Sequence, residues 1–146
     1  MNTSRIGHKL EKILADDIDG QFTPGSGCLP FAKGDITSDR FLIECKASER
    51  GIIRITLKWV YTIMQYAADR SKTWGLAMSP DVRYTDNYLI ILPAGVVEDP
   101  ELNMPLPSNR SKGFTINTAT MEAIIPRKIG DTGWVLTTRE DFRMAL

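Results

Sequence analysis

Apolar side chains along the chain follow two rhythms, helical and alternating, and the change from one to the other marks out the elements. Ile6, Leu10, Ile13 and Leu14 recur at helical spacing behind Ser4 as N-cap, which predicts an amphipathic helix over roughly residues 5–17, stopping before Gly20. Its polar face carries His8, Glu11 and Lys12. The run from Gln21 to Gly27 holds too much Gly and Pro for either rhythm and reads as a tight loop. Two extended segments follow. Phe31–Ile36 is weakened by Pro30 and Gly34, whereas Phe41–Ala47 starts after the turn-like Thr37, Ser38 and Asp39, so the two are expected to form a hairpin. Ile52–Ile55 is short and β-branched. Thr56 can then cap a helix over Leu57–Arg70 with Leu57, Val60, Tyr61, Met64, Ala67 and Ala68 as its inward stripe. Extended segments return at Trp74–Met78 and at Tyr88–Leu92, the latter ended by Pro93.

Residues 94–113 contain Pro100, Pro105 and Pro107 and read as a long surface connection. Beyond them, Thr120–Ile125 reads as a short helix and Gly133–Thr137 as a strand, with Thr137 and Glu140 as a capping box for a last helix to Leu146. The order of elements predicts an α/β fold with a central mixed β-sheet flanked by helices. One domain is expected over residues 1–146, with a core of about 1–93 and a C-terminal extension, 94–146.

Composition agrees with one compact domain: 146 residues, 42% apolar and 25% charged, which excludes a disordered tail or a coiled coil. No stretch approaches the ~18 to 20 apolar residues of a membrane span, and Asn2 to Arg5 do not open a signal peptide, so no membrane association and a cytoplasmic location are expected. Cys28 and Cys45 are too few for a disulfide framework or a zinc site and read as reduced, small core residues. His8 is the single histidine, which removes chemistry built on two imidazoles. The 18 basic and 18 acidic residues cancel, so a DNA-binding face is allowed but not announced by net charge.

The informative segment is Gly34-Asp35-Ile36 followed by Glu44-Cys45-Lys46. Side chains alternate faces on a strand, so Glu44 and Lys46 project together while Ile43 and Cys45 point into apolar packing. A turn near Ser38 would bring Asp35 within reach of Glu44. Two adjacent carboxylates repel unless a cation lies between them, and hard oxygen donors suit Mg²⁺, or Mn²⁺ in its stead. Lys46 would then hold or deprotonate a metal-bound water, the parts required for phosphodiester hydrolysis.

Asp35 with Glu44-x-Lys46 resembles the motif of the PD-(D/E)xK nuclease superfamily, with Gly34 where Pro is usual. Adding the helix bearing Glu11, the Gly25-Ser26-Gly27 loop, Ile43 to Ser48, and Ile55 leading into a helix, residues 5–80 are similar to archaeal-type Holliday-junction resolvases and their phage relatives. The resemblance implies a restriction-endonuclease-like core and a structure-selective endodeoxyribonuclease that leaves a 5′-phosphate. It implies Glu11, Asp35, Glu44 and Lys46 as catalytic residues. Glu11, Asp35, Glu44 and the backbone carbonyl of Cys45 would ligate the metal, and Ser26 would lie near the scissile phosphate.

Each residue also has a plainer reading. Glu44 and Lys46 could be a solvated strand face, Glu11 could pair with neighbouring lysines, and Ser26 could simply form a turn. His8 is either a phosphate neighbour or a surface histidine; Trp59, Trp74 and Trp134 are either core or interface residues or base-stacking platforms. Lys33, Arg40, Arg50, Arg54 and Lys58 flank the motif and are candidates for DNA phosphate contacts or plain solvated charges. The expected partner is DNA in branched four-way form, and symmetric cutting calls for a homodimer in a bacterial, archaeal or phage-infected cell. The rival readings are a nicking, restriction-like or repair endonuclease of the same superfamily, and a non-catalytic DNA-binding subunit.

Overall fold

In a computed structural model the chain is described at residues 3–23, 34–97, 113–118, 127–128 and 133–146. It is a mixed α/β protein. The elements in chain order are α1 (Thr3–Ile18), β1 (Gln21–Phe22), β2 (Ile36–Thr37), β3 (Phe41–Ala47), β4 (Ile52–Thr56), α2 (Leu57–Asp69), β5 (Thr73–Ser79), β6 (Leu89–Pro93), β7 (Gly113–Asn117), β8 (Arg127–Lys128), β9 (Trp134–Thr138) and α3 (Arg139–Met144). Among the described residues, seven strands form one sheet in the order β1, β2, β3, β5, β6, β9, β8, while β4 and β7 pair as a separate antiparallel ribbon. Within the large sheet β3 and β5 are parallel and the other pairs antiparallel, with α2 in the connection that parallel strands require.

Alternation along the central strands divides the core into two layers. Leu42, Trp74, Leu76, Met78, Leu89, Ile91, Trp134 and Leu136 point to the face covered by Val60, Ile63 and Ala67 of α2 and by Ile53, Ile55 and Ile116 of the ribbon. Phe41, Ile43, Ala77, Ile90, Leu92 and Val135 point to the other, where they meet Leu10 and Leu14 of α1 and Phe142 of α3. Phe142 packs edge-on against Phe41, with ring centroids 5.5 Å apart. Beyond residue 93, β8 and β9 therefore belong to the same sheet, and Ile116, Trp134, Val135, Leu136 and Phe142 to the same core layers. A buried polar link adds to this: Asp17 near the end of α1 accepts from the Tyr88 hydroxyl (2.7 Å) and from Nε and Nη2 of Arg139 (2.7 and 2.8 Å). Burial, and then the Asp17 carboxylate, push the Tyr88 hydroxyl far above the usual tyrosine range.

Several expectations shift by a residue or a face. α1 begins at Thr3, so Ser4 lies inside its first turn. Thr56 does cap α2, its side chain accepting from Trp59 N (3.2 Å). The buried stripe of α2, however, runs through Val60, Ile63 and Ala67; Tyr61 and Ala68 are exposed, because the helix is turned to set Ile63 against the sheet. β9 extends to Thr138, which leaves Thr137 buried and makes Thr138 the cap of α3, accepting from Asp141 N (3.2 Å). Gln21 and Phe22, expected in a loop, form a short strand beside β2. Phe31 to Lys33, most of residues 94–113 and the helix expected at Thr120–Ile125 lie outside the described residues.

Candidate active site

The antiparallel ladder between β2 and β3 pairs Ile36 with Ile43 and Thr37 with Leu42, and Asp35 N donates to Ile43 O (2.9 Å). Asp35 immediately precedes β2. Its Oδ2 accepts from Cys45 N at 2.7 Å, which fixes the carboxylate against the middle of β3. Glu44 Oε2 accepts from Gly34 N at 3.2 Å. Gly34 has φ +85°, and a Cβ there would sit 2.6 Å from Leu42 Cδ1. Proline, the usual residue at this position of the motif, could neither adopt that φ nor donate that hydrogen bond. Glycine is thus what lets the chain pass close beneath Leu42 while its amide engages the acid.

Glu44 and Lys46 share the α2 face of β3, and Ile43 and Cys45 the α1 face. Lys46 Nζ lies 3.5 Å from Glu44 Oε1 and 4.3 Å from the centroid of the Trp59 ring. A cleft of about 390 Å³ opens here, lined by Glu44, Lys46, Lys58, Trp59, Thr62 and Ile63. Both of its cationic side chains come from elements that the motif connects, the strand bearing the acid and the first turn of the following helix.

Electrostatics join the two faces at this end of the sheet. The Glu11 carboxyl on α1 is raised above its ordinary range by partial burial, then by the charges of Asp35 and Glu44. Glu44 is raised too, by burial first and Asp35 second, and the Lys46 ammonium and the Gly34 amide only partly oppose this. The Cys45 thiol is pushed well up by burial and by the fields of Asp35, Glu11 and Glu44. It packs at the edge of the core layer that contains Leu10, Leu14 and Ile43. Glu11, Asp35 and Glu44 therefore form one negative field, with Lys46 as the cation that moderates it at Glu44 and Cys45.

Among the described residues no three His, Cys, Asp or Glu side chains are gathered tightly enough to enclose a metal ion. The donor chemistry nevertheless fits a hard divalent cation: carboxylate oxygens from α1, from β3 and from Asp35 just before β2, with Glu11 and Glu44 raised partly by like charges that such a cation would offset. No protein-family model, curated protein or solved structure matches the chain.

The other expected residues are more scattered. Lys58 lines the cleft; Arg50, in the turn after β3, and Arg54, on the outer side of β4, are exposed but outside its lining. Ser26 and Lys33 lie outside the described residues. Trp74 and Trp134 are buried and in edge-on contact, while Trp59 is 39% exposed over Lys46. That arrangement was signalled only by the spacing of Trp59 three residues after the cap Thr56. The outer face of α1 is a second feature the motif did not single out. Ser4, Arg5, His8, Lys9 and Lys12 line a groove there, and the exposed Phe22 ring stacks on His8 at 6.3 Å.

Proposed function

We propose that this chain is a Mg²⁺-dependent, structure-selective DNA endonuclease of the Holliday-junction resolvase type, within a restriction-endonuclease-like version of its α/β fold. The observation that carries the reading is a pair of cross-strand contacts: Asp35 Oδ2 accepts from Cys45 N and Glu44 Oε2 from Gly34 N, with Lys46 on the same face as Glu44 and ion-paired to it. A solvated strand face gives no reason for Glu44 to be engaged by the Gly34 amide, or for Asp35 to be held by a β3 amide.

Glu11, Asp35 and Glu44, with the Cys45 carbonyl, are the groups that would hold the ion. When bound, it would supply Lewis-acid polarisation of a phosphoryl oxygen and a lowered pKa for the attacking water. Lys46 has the complementary task. Its ammonium, steered by Glu44, orients the water or neutralises charge on the phosphate as the P–O3′ bond breaks. The products are a 5′-phosphate and a 3′-hydroxyl, with the proton lost by water ending on the departing oxygen. Lys58, at the cleft wall, and Arg50, Arg54 and Lys33 are assigned to the DNA backbone, and a homodimer would supply two sites for symmetric incision.

The test is cleavage of one labelled sequence offered as four-way junction, fork, nicked duplex, linear duplex and single strand, beside sedimentation of the protein alone. Paired symmetric nicks on the junction by a dimer are expected. A monomer that cuts linear duplex as fast as junctions would leave a nicking, restriction-like or repair endonuclease in place of a resolvase. No cleavage of any form would remove the nuclease reading.

A further inference from the structure

We infer that Trp59 is a positioning residue for Lys46: its indole face holds the lysine ammonium at the mouth of the cleft, beside Glu44. Lys46 as the working lysine rests on the nuclease reading above; the contact itself does not. A lysine on a strand carries four rotatable bonds and ordinarily samples solvent, so a lone partner at 3.5 Å in a partly exposed pair holds it weakly. Here a second restraint comes from the opposite wall. Nζ is 4.3 Å from the Trp59 centroid, within the range of a cation–π contact, and Trp gives the strongest such contact among the aromatic residues.

The ring is itself held in place by the chain leading to it. β4 runs directly into α2, the Thr56 side chain accepts from Trp59 N, and Val60 and Ile63 anchor the same turns in the core. With Val60 inward, Trp59 is directed along the cleft rather than into the packing, which is why so large an apolar side chain stays 39% exposed. The two groups approach from different elements and meet only in the folded chain.

The experiment compares the full chain as wild type, Trp59→Phe, Trp59→Leu, Lys46→Ala and the double variant Trp59→Leu/Lys46→Ala, by junction-cleavage kinetics with Mg²⁺ and by NMR of the Lys46 ε-methylene protons. A lysine beneath an indole face has these protons shifted upfield by the ring current. They should be upfield in the wild type, less so in Trp59→Phe, and at the ordinary lysine position in Trp59→Leu. In parallel, kcat should fall about 3- to 30-fold in Trp59→Leu, the loss expected from one such contact, with KM little changed and Trp59→Phe retaining most of the rate. Adding Trp59→Leu to Lys46→Ala should cost nothing further, because the ring acts through the lysine.

Unshifted Lys46 protons in the wild type, or a Trp59→Leu loss that is undiminished in the Lys46→Ala background, would overturn the inference. If the wild type cleaves no DNA, the nuclease reading fails, yet the proton shifts still decide whether Trp59 holds Lys46. If Lys46→Ala abolishes cleavage while Trp59→Leu leaves it intact, the nuclease reading stands and this inference falls.

Discussion

α1 carries two partly or wholly buried acids, Asp17 and Glu11, less than two turns apart, and the chain treats them in opposite ways. Asp17, with a side chain only 4% exposed, has the Tyr88 hydroxyl and two nitrogens of Arg139 on its oxygens, so its charge is fully answered. Glu11 faces Asp35 and Glu44, and every influence on its carboxyl disfavours the charged form. The chain is therefore able to satisfy a buried carboxylate, and does so where α1 is tied to the C-terminal helix. At the β2–β3 end it concentrates negative charge instead. A carboxylate cluster that costs stability with no cation present is what the proposed cation-dependent site requires.

The largest effect should come from the strained side of this contrast. Asp35→Asn keeps an acceptor for Cys45 N but removes the charge, and Lys46→Ala removes the cation; each should lower cleavage at least ~100-fold in a gel assay while thermal unfolding stays cooperative. A variant of either kind with wild-type rates would dissolve the difference between the two regions. Asp17→Ala should do the reverse. Removing the acid leaves the buried Tyr88 hydroxyl without this acceptor and Arg139 with the Asp86 carbonyl but no carboxylate, so urea unfolding should show a loss of about 3 kcal/mol. A cost below ~1 kcal/mol would mean the network is peripheral.

Gly34→Ala is intermediate. A left-handed φ and a Cβ driven to 2.6 Å from Leu42 Cδ1 should destabilise the chain by roughly 1–3 kcal/mol, and the displaced amide should also lower activity. The smallest effect carries a sign. A carboxyl whose folded pKa is raised opposes folding once it ionises, so Glu11→Gln should stabilise the protein near neutral pH with no divalent ion added. Partial exposure and screening keep the gain below ~1 kcal/mol. The advantage should shrink as pH falls through the raised folded value towards the ordinary 4.5, where both states are protonated. Melting curves of the two proteins across that range provide the check, and a Glu11→Gln variant less stable than wild type at neutral pH would show that Glu11 has a partner instead.

The sequence was most legible where one rhythm ran without interruption. Phe41–Ala47 is a strand over the full span expected, and the turn-like Ser38 and Asp39 before it do join it to β2 as an antiparallel pair. Legibility fell where a choice depended on packing from elsewhere. Tyr61 and Ile63 are both apolar and both near the helix stripe, and only the position of the sheet decides that Ile63 turns in and Tyr61 rests edge-on against Trp134, 5.9 Å away. Thr137 and Thr138 are chemically the same cap, and the pairing of β9 with β6 decides between them. Residues 94–146 read as an extension because Pro-rich spacing hides long-range pairing; nothing local announces that Trp134–Thr138 lies inside the sheet. In the site, the positive φ of Gly34 and the ring over Lys46 are likewise products of contacts between distant segments.

On the proposed reading, the Asp17 network serves the fold, and the mutually repelling Glu11, Asp35 and Glu44 serve a divalent cation acting on DNA. That reading is tested most directly by incubating wild type and Asp35→Asn with a labelled four-way junction in Mg²⁺, in Ca²⁺ and in EDTA. Paired nicks by the wild type in Mg²⁺ alone, with Asp35→Asn folded and inactive, are the predicted result; undiminished cleavage in EDTA, or by Asp35→Asn, would contradict it.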